Sequence, residues 1–224
     1  MTRRLAWLAA LGAALVALVA TAASVSVPYG YGDLPEANTQ VYVAATIAAG
    51  LVYAGAVALV RAGTIRHALP LVLGVAVILR VITFAIPPML SSDIFRYVWD
   101  GRVQAAGINP YLYLPAAPEL AFLRDHAPGW AGVYDHINRV DIAPTIYPPG
   151  AQGLFALLGR TWSSVWGVKF AMLAFDLIAI GAALKLLLAA RQNLALVLIY
   201  AWNPLPPWEF GGAGHIDAAA VAFG

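Results

Sequence analysis

Long stretches without a charged residue constrain this chain most. Leu5 to Val27 and Val41 to Val60 contain no Asp, Glu, Lys or Arg. Ala68 to Leu90 contains only Arg80, and Val168 to Ala190 contains Lys169, Asp176 and Lys185. A helix needs about 20 apolar residues to cross a bilayer, so each run is long enough. Leu194 to Trp208 is shorter and is broken by Asn203-Pro204 and Pro206-Pro207. A last run starts at Ile216 and reaches the chain end at Gly224. The pattern predicts five segments and the start of a sixth, hence an all-α polytopic membrane protein. Because the last run has no basic flank, the chain reads as the N-terminal part of something longer.

Composition agrees: 62% of the 224 residues are hydrophobic and 11% are charged, against about 25% charged in soluble domains. A disordered chain and an ordinary cytosolic globule are excluded. The net charge of +2 gives no reason to expect nucleic acid. With no cysteine there is no disulfide, thiol catalysis or Cys-based metal site.

The first segment has two readings. It is a membrane anchor, or Arg3-Arg4, the apolar stretch and Ala20-Thr21-Ala22 form a cleavable signal peptide. Arg3, Arg4, Arg61, Arg66 and Arg191 lie in short segments without acids, whereas the 28–40 loop has Asp33 and Glu36 and no base. The positive-inside rule puts the basic segments in the cytoplasm and the 28–40 loop outside. Three parts follow: 1–90 with three membrane segments, an external loop over 91–167, and 168–224 with further segments.

A loop of this length is usually functional or disordered. Trp99, Trp130, Trp162 and Trp166 and several tyrosines argue for order at the lipid headgroups, in juxtamembrane helices. Ser91-Ser92 offers an N-cap, Asp93 sits in the first turn, and Gly107 with Asn109-Pro110 closes the helix. Asp93, Arg96, Tyr97, Asp100 and Gln104 share one face; Ile94, Val98, Gly101 and Ala105 share the other. Asp93 and Asp100 are about 10 Å apart along the axis, too far for one metal but close enough to frame one substrate. Asp93 also fits simple capping, and Arg96–Asp100 also fits a solvated i,i+4 ion pair. His126 and His136 lack metal-ligand spacing.

Inside the membrane, Arg80 and Asp176 lie at similar depth, about 13–16 Å from their outer ends. An ionisable residue there is costly and points to function, or to a pair that fixes helix packing. A second polar cluster follows Asn203-Pro204-Leu205: Glu209, Gly211-Gly212-Ala213-Gly214, His215 and Asp217. It reads as a broken helix lining a cavity, or as a capped turn between helices.

Four ordered blocks resemble a known family. The run Ser92-Asp93-Ile94-Phe95-Arg96-Tyr97-Val98-Trp99-Asp100-Gly101-Arg102 to Gly107 and Tyr111 is similar to the first external loop of GT-C-fold glycosyltransferases. Thr145-Ile146-Tyr147-Pro148-Pro149 with Leu154-Phe155 resembles the short helix closing that loop. Val168-Lys169-Phe170 with Phe175-Asp176-Leu177 resembles the next helix. Tyr200-Ala201-Trp202-Asn203-Pro204-Leu205 with Gly211, Gly214, His215 and Asp217 resembles the next external turn. The likeness is closest to bacterial polyprenyl-phosphomannose-dependent mannosyltransferases and more distant to the catalytic subunit of GPI mannosyltransferase I. It covers about half the chain, from Ser91 on.

The resemblance implies a GT-C-like helical bundle in the plasma membrane, its active loop extracytoplasmic. The reaction implied is sugar transfer, mannose in the closest likeness, from a polyprenyl-phosphate donor to a lipid or glycan acceptor. Asp93 matches the family's catalytic aspartate, which accepts or orients the acceptor proton. Arg96, Arg102 and Arg139 are candidates for the leaving phosphate. Tyr97, Asp100, Tyr147, Asn203, His215 and Asp217 complete the implied substrate-binding set. Many relatives carry a second acid beside the first; here that place is Ser92, which weakens a two-carboxylate metal site while leaving a divalent metal open. The competing reading is a transporter or flippase, with Arg80 and Asp176 marking a pathway.

Overall fold

The structure, a computed structural model, describes residues 2–26, 34–125 and 132–224. Asp33, His126 and Trp130 lie outside the described residues. Among those described there is helix and no strand. Four helices are long and apolar enough to cross a membrane: α1 (Arg3–Ser26), α2 (Glu36–Arg61), α3 (Ala68–Ala85) and α6 (Val165–Ala189). Between α3 and α6 lie α4 (Asp93–Ala105) and α5 (Pro149–Thr161), and after α6 come α7 (Leu198–Ala201) and α8 (Asp217–Phe223).

The spans keep much of their apolar surface outward. Leu51 on α2 and Leu186 on α6 are each 71% exposed, as lipid-facing positions require. Inward positions of α1, α2 and α3 form one core with the end of α6 and with Trp202. Gly12 lets α1 approach this core: a Cβ there would lie 2.8 Å from the Trp202 ring. The Trp202 indole N–H donates to the Val72 carbonyl at 2.8 Å, tying α7 to α3.

Two expectations from the sequence are corrected. The run Leu194–Trp208 is not one spanning helix. A 3-10 turn over Leu194–Val197 leads into the four-residue α7, and a π-helical turn follows over Pro207–Gly212. Asn203 ends α7 by accepting the Leu205 N–H at 3.0 Å, and the prolines deny the backbone donors a longer helix would need. The third span also stops at Ala85 rather than reaching Leu90, because Pro87 and Pro88 follow.

Arg80 and Asp176 do meet. Arg80 Nε lies 2.6 Å from one Asp176 oxygen and Nη2 3.2 Å from the other. Nη1 donates to the Ala201 carbonyl at 2.8 Å, and the Tyr200 hydroxyl donates to Asp176 at 2.7 Å. Both side chains are buried. The pair joins α3, α6 and α7 at the point where α7 breaks, so a carbonyl left free by the break is satisfied within the protein.

The segment between α3 and α6 builds a second core with the first half of α6. It rests on a backbone contact. A Cβ on Gly159 of α5 would lie 2.1 Å from the Gly101 oxygen of α4, and a Cβ on Gly101 2.5 Å from the Phe155 oxygen. Only glycine fits at either point. Because α5 lies this close, α4 is packed on most sides, with Phe95, Tyr97, Trp99 and Asp100 all buried. On its polar face Tyr97 and Asp100 are therefore buried, while Asp93, Arg96 and Gln104 stay partly exposed.

Candidate functional site

Helix α4 begins with a small departure from the expected cap. Ser92 is helical and its side chain accepts no capping bond; its hydroxyl accepts from the Asn138 amide at 2.7 Å. Ser91 takes the capping role, accepting the Asp93 N–H at 3.1 Å. At the far end Gly107, at φ 79°, closes α4 in a Schellman turn: its N–H reaches Gln104 O, and Ile108 N–H reaches Val103 O.

The two aspartates of α4 have different surroundings. Asp100 is 1% exposed. It accepts from Arg96 Nε at 2.9 Å and from the Gln152 amide at 2.8 Å. Gln152 also donates to the Thr145 hydroxyl at 2.7 Å and accepts from the Gln104 amide at 2.7 Å. Arg96–Asp100 is thus a buried pair inside a network joining α4 and α5, and the solvated alternative is corrected. Asp93 is half-buried and its carboxylate has no hydrogen-bond or ion-pair partner among the described residues.

Asp93 lines a cavity of about 260 Å³ with Arg96, Asn138, Arg139 and Tyr147. Arg139 is exposed in a left-handed conformation at φ 54°. Tyr97 and Tyr147 meet edge to face, ring centroids 4.9 Å apart. Burial pushes the Tyr147 hydroxyl up to about 12, with the Asp93 charge adding to the shift. Burial likewise raises Tyr97, followed by Tyr147 and Asp93. Both phenols stay protonated at neutral pH.

The later turn closes on the same region. The π-helical turn and Gly214, at φ 74°, reverse the chain so that His215 N–H donates to the Glu209 carbonyl at 2.9 Å. His215 Nδ1 lies 2.5 Å from the Glu209 carboxylate. A Cβ on Gly214 would come within 2.4 Å of Ile94, so glycine permits the turn to press on the start of α4. The Glu209 bond raises His215 above 6.5, and Asp93 and Asp217 add to the rise. Glu209 is lowered in turn by the His215 bond. The second ring nitrogen, Nε2, is buried without a partner. Glu209, His215 and Asp217 line a cavity of about 250 Å³. Asp217 also belongs to a mostly apolar cleft of about 460 Å³ among Leu154, Phe175, Ile216 and Phe223.

The structure therefore gathers Asp93, Arg96, Tyr97, Tyr147, Arg139, His215 and Asp217 at one end of α4. Two further sequence candidates lie elsewhere. Arg102 is held by Asp125 at 2.8 Å and by Ser163 at 3.2 Å, and Asn203 caps its own turn. His136 stacks on Phe95 with centroids 4.7 Å apart, as an ordinary loop residue does.

Three residues that sequence reasoning passed over hold the site in place. Asn138 fixes Ser92, and Gln152 fixes Asp100. Lys169, buried on α6, donates to the carbonyls of Phe84 and Ile86 at the end of α3. A lysine one turn inside a spanning helix was the available signal for the last. Among the described residues no group of three or more His, Asp or Glu could hold a metal ion. Asp100 is held by Arg96 and Gln152 and is not free to share a ligand with Asp93. The chain matches no protein-family model, no curated protein and no solved structure.

Proposed function

We propose that this chain is an integral membrane glycosyltransferase. It moves a sugar, mannose by the closest resemblance, from a polyprenyl-phosphate donor to a lipid or glycan acceptor. The active loop, 91–167, lies at the extracytoplasmic face of the plasma membrane. One observation carries the reading: the Asp93 carboxylate is unengaged in a cavity with two arginines, while its neighbour Asp100 is fully committed to Arg96 and Gln152.

The chemistry follows from those groups. Asp93 takes the proton of the acceptor hydroxyl as that oxygen bonds to the anomeric carbon. The bond from that carbon to the phosphate oxygen breaks, and its electron pair leaves with the lipid phosphate. Arg139 and the remaining Arg96 N–H groups meet the charge that develops there. The apolar cleft beside Asp217 suits a polyprenyl chain, with the phosphate at headgroup level. The transporter reading drew on Arg80 and Asp176, and every strong donor and acceptor of that pair is engaged by neighbouring helices.

The test is donor consumption by the purified full-length protein in lipid vesicles. Polyprenyl-phosphate mannose should be converted to free polyprenyl phosphate only when a membrane extract supplies an acceptor, with inversion at the transferred sugar. Intact donor crossing from one leaflet to the other without cleavage would replace this reading with the flippase.

A further inference from the structure

Away from Asp93 lies a separate cleft of about 530 Å³, between the end of α4, the 107–111 turn and the start of α5. Gln104, Asn109, Tyr111, Gln152, Gly153 and Arg160 line it. Gln104 is eleven residues along α4 from Asp93, about 16 Å away along the axis.

The polar groups here are fixed but not exhausted. Gln152 is 4% exposed, and its amide is locked to Asp100 and Thr145. Gln104 donates to Gln152, and among the described residues no donor reaches its own side-chain oxygen. Asn109 uses its side-chain oxygen on the Tyr111 N–H at 3.0 Å, which leaves its NH2 for a ligand. The Tyr111 hydroxyl donates to the Tyr147 carbonyl at 2.5 Å, so the ring stands as a fixed wall. Arg160, exposed at the rim, donates to the carbonyls of Ala156 and Gln104 at 3.2 and 3.3 Å.

Gly153 adds a separate observation. Glycine inside a helix is less stable than alanine. Gly101 and Gly159 have a packing reason for being glycine; Gly153 has none, since a Cβ there would meet nothing within 4 Å. Gly153 lines the cleft, so a side chain placed here would project into it rather than into a packed neighbour.

We infer that this cleft is a binding site for a neutral saccharide. Free amide donors and acceptors beside a fixed aromatic ring suit vicinal hydroxyls and the apolar face of a sugar. No carboxylate lines the cleft among the described residues, and the one cation in its lining, Arg160, stands exposed at the rim. On the proposed function, on which this role rests, the saccharide is the distal part of a glycan acceptor whose growing end reaches Asp93. Tyr111 joins the two places, since the residue whose carbonyl it holds, Tyr147, lines the Asp93 cavity.

The experiment is saturation-transfer NMR on the full-length protein in detergent micelles, with a neutral mannotriose as probe. Wild type should bind it, and so should Asp93→Asn, because the cleft does not use Asp93. Gly153→Trp, which fills the cleft, should weaken binding by at least about tenfold. Asn109→Ala, in the exposed turn, should weaken it several-fold and covers the case in which the tryptophan disturbs α5. Undiminished binding by both cleft variants, no binding by wild type, or displacement by inorganic phosphate would overturn the proposal. Loss of glycosyl transfer activity as a whole would leave this result intact, so failure of the proposed function and failure of the saccharide site read differently.

Discussion

Asp93 and Asp100 stand two turns apart on α4, and only Asp100 is bound, by Arg96 at 2.9 Å and Gln152 at 2.8 Å. The two should fail in different ways. Asp100→Ala leaves the Arg96 guanidinium without its carboxylate acceptor and should cost about 3 kcal/mol. Asp100→Asn keeps one acceptor and should cost less. Thermal unfolding of the detergent-solubilised protein measures both, and a stability equal to wild type in the alanine variant would contradict the network.

Arg80 and Asp176 should behave as one unit. Arg80→Leu or Asp176→Leu alone strands a charge in the membrane interior, a loss of about 3–5 kcal/mol. The double variant removes both charges and should be milder than either single change. A double-mutant cycle on unfolding free energy reads the coupling; simple additivity would refute the pairing.

The approach of α4 and α5 depends on two missing side chains. Gly159→Ala places a methyl 2.1 Å from the Gly101 oxygen. The helices must then separate, at a cost of about 1–3 kcal/mol or more. Gly153→Ala, on the same helix with open space around it, should be neutral or slightly stabilising. Equal effects of the two changes in a thermal melt would remove the contact from the account.

Stability should peak between the titrations of Glu209 and His215. The His215 value is raised, so its contribution is present below its ordinary value of 6.5 and is lost as pH climbs through the raised value. The Glu209 value is lowered, so its contribution is present above its ordinary 4.5 and is lost as pH falls through the depressed value. Melting temperature against pH should show both limbs. Glu209→Gln should move the alkaline limb toward lower pH; an unmoved limb would separate His215 from Glu209.

Much of the architecture was legible in charge-free runs, because a bilayer imposes length and polarity together. Leu194–Trp208 misled: its hydropathy suits a span, yet the backbone donors lost at its prolines decide its shape. The helix over Asp93–Ala105 was readable from Ser91 and Gly107. Its burial was not, because the Gly101–Gly159 contact joins residues far apart in sequence. For the same reason Arg96–Asp100 looked like a surface pair until Gln152 stood beside it. Asp93, His215 and Asp217 were found as residue types at suggestive places. Their convergence depended on a π-helical turn and on Gly214, which local spacing does not encode.

The most direct measurement compares wild type with Asp93→Asn in membranes carrying the full-length protein, supplied with labelled polyprenyl-phosphate mannose. Wild type should transfer label to an endogenous acceptor, and the variant should lose at least about a hundredfold of that transfer, with equal amounts of inserted protein. Transfer by Asp93→Asn at the wild-type rate would contradict the role given to the unengaged carboxylate.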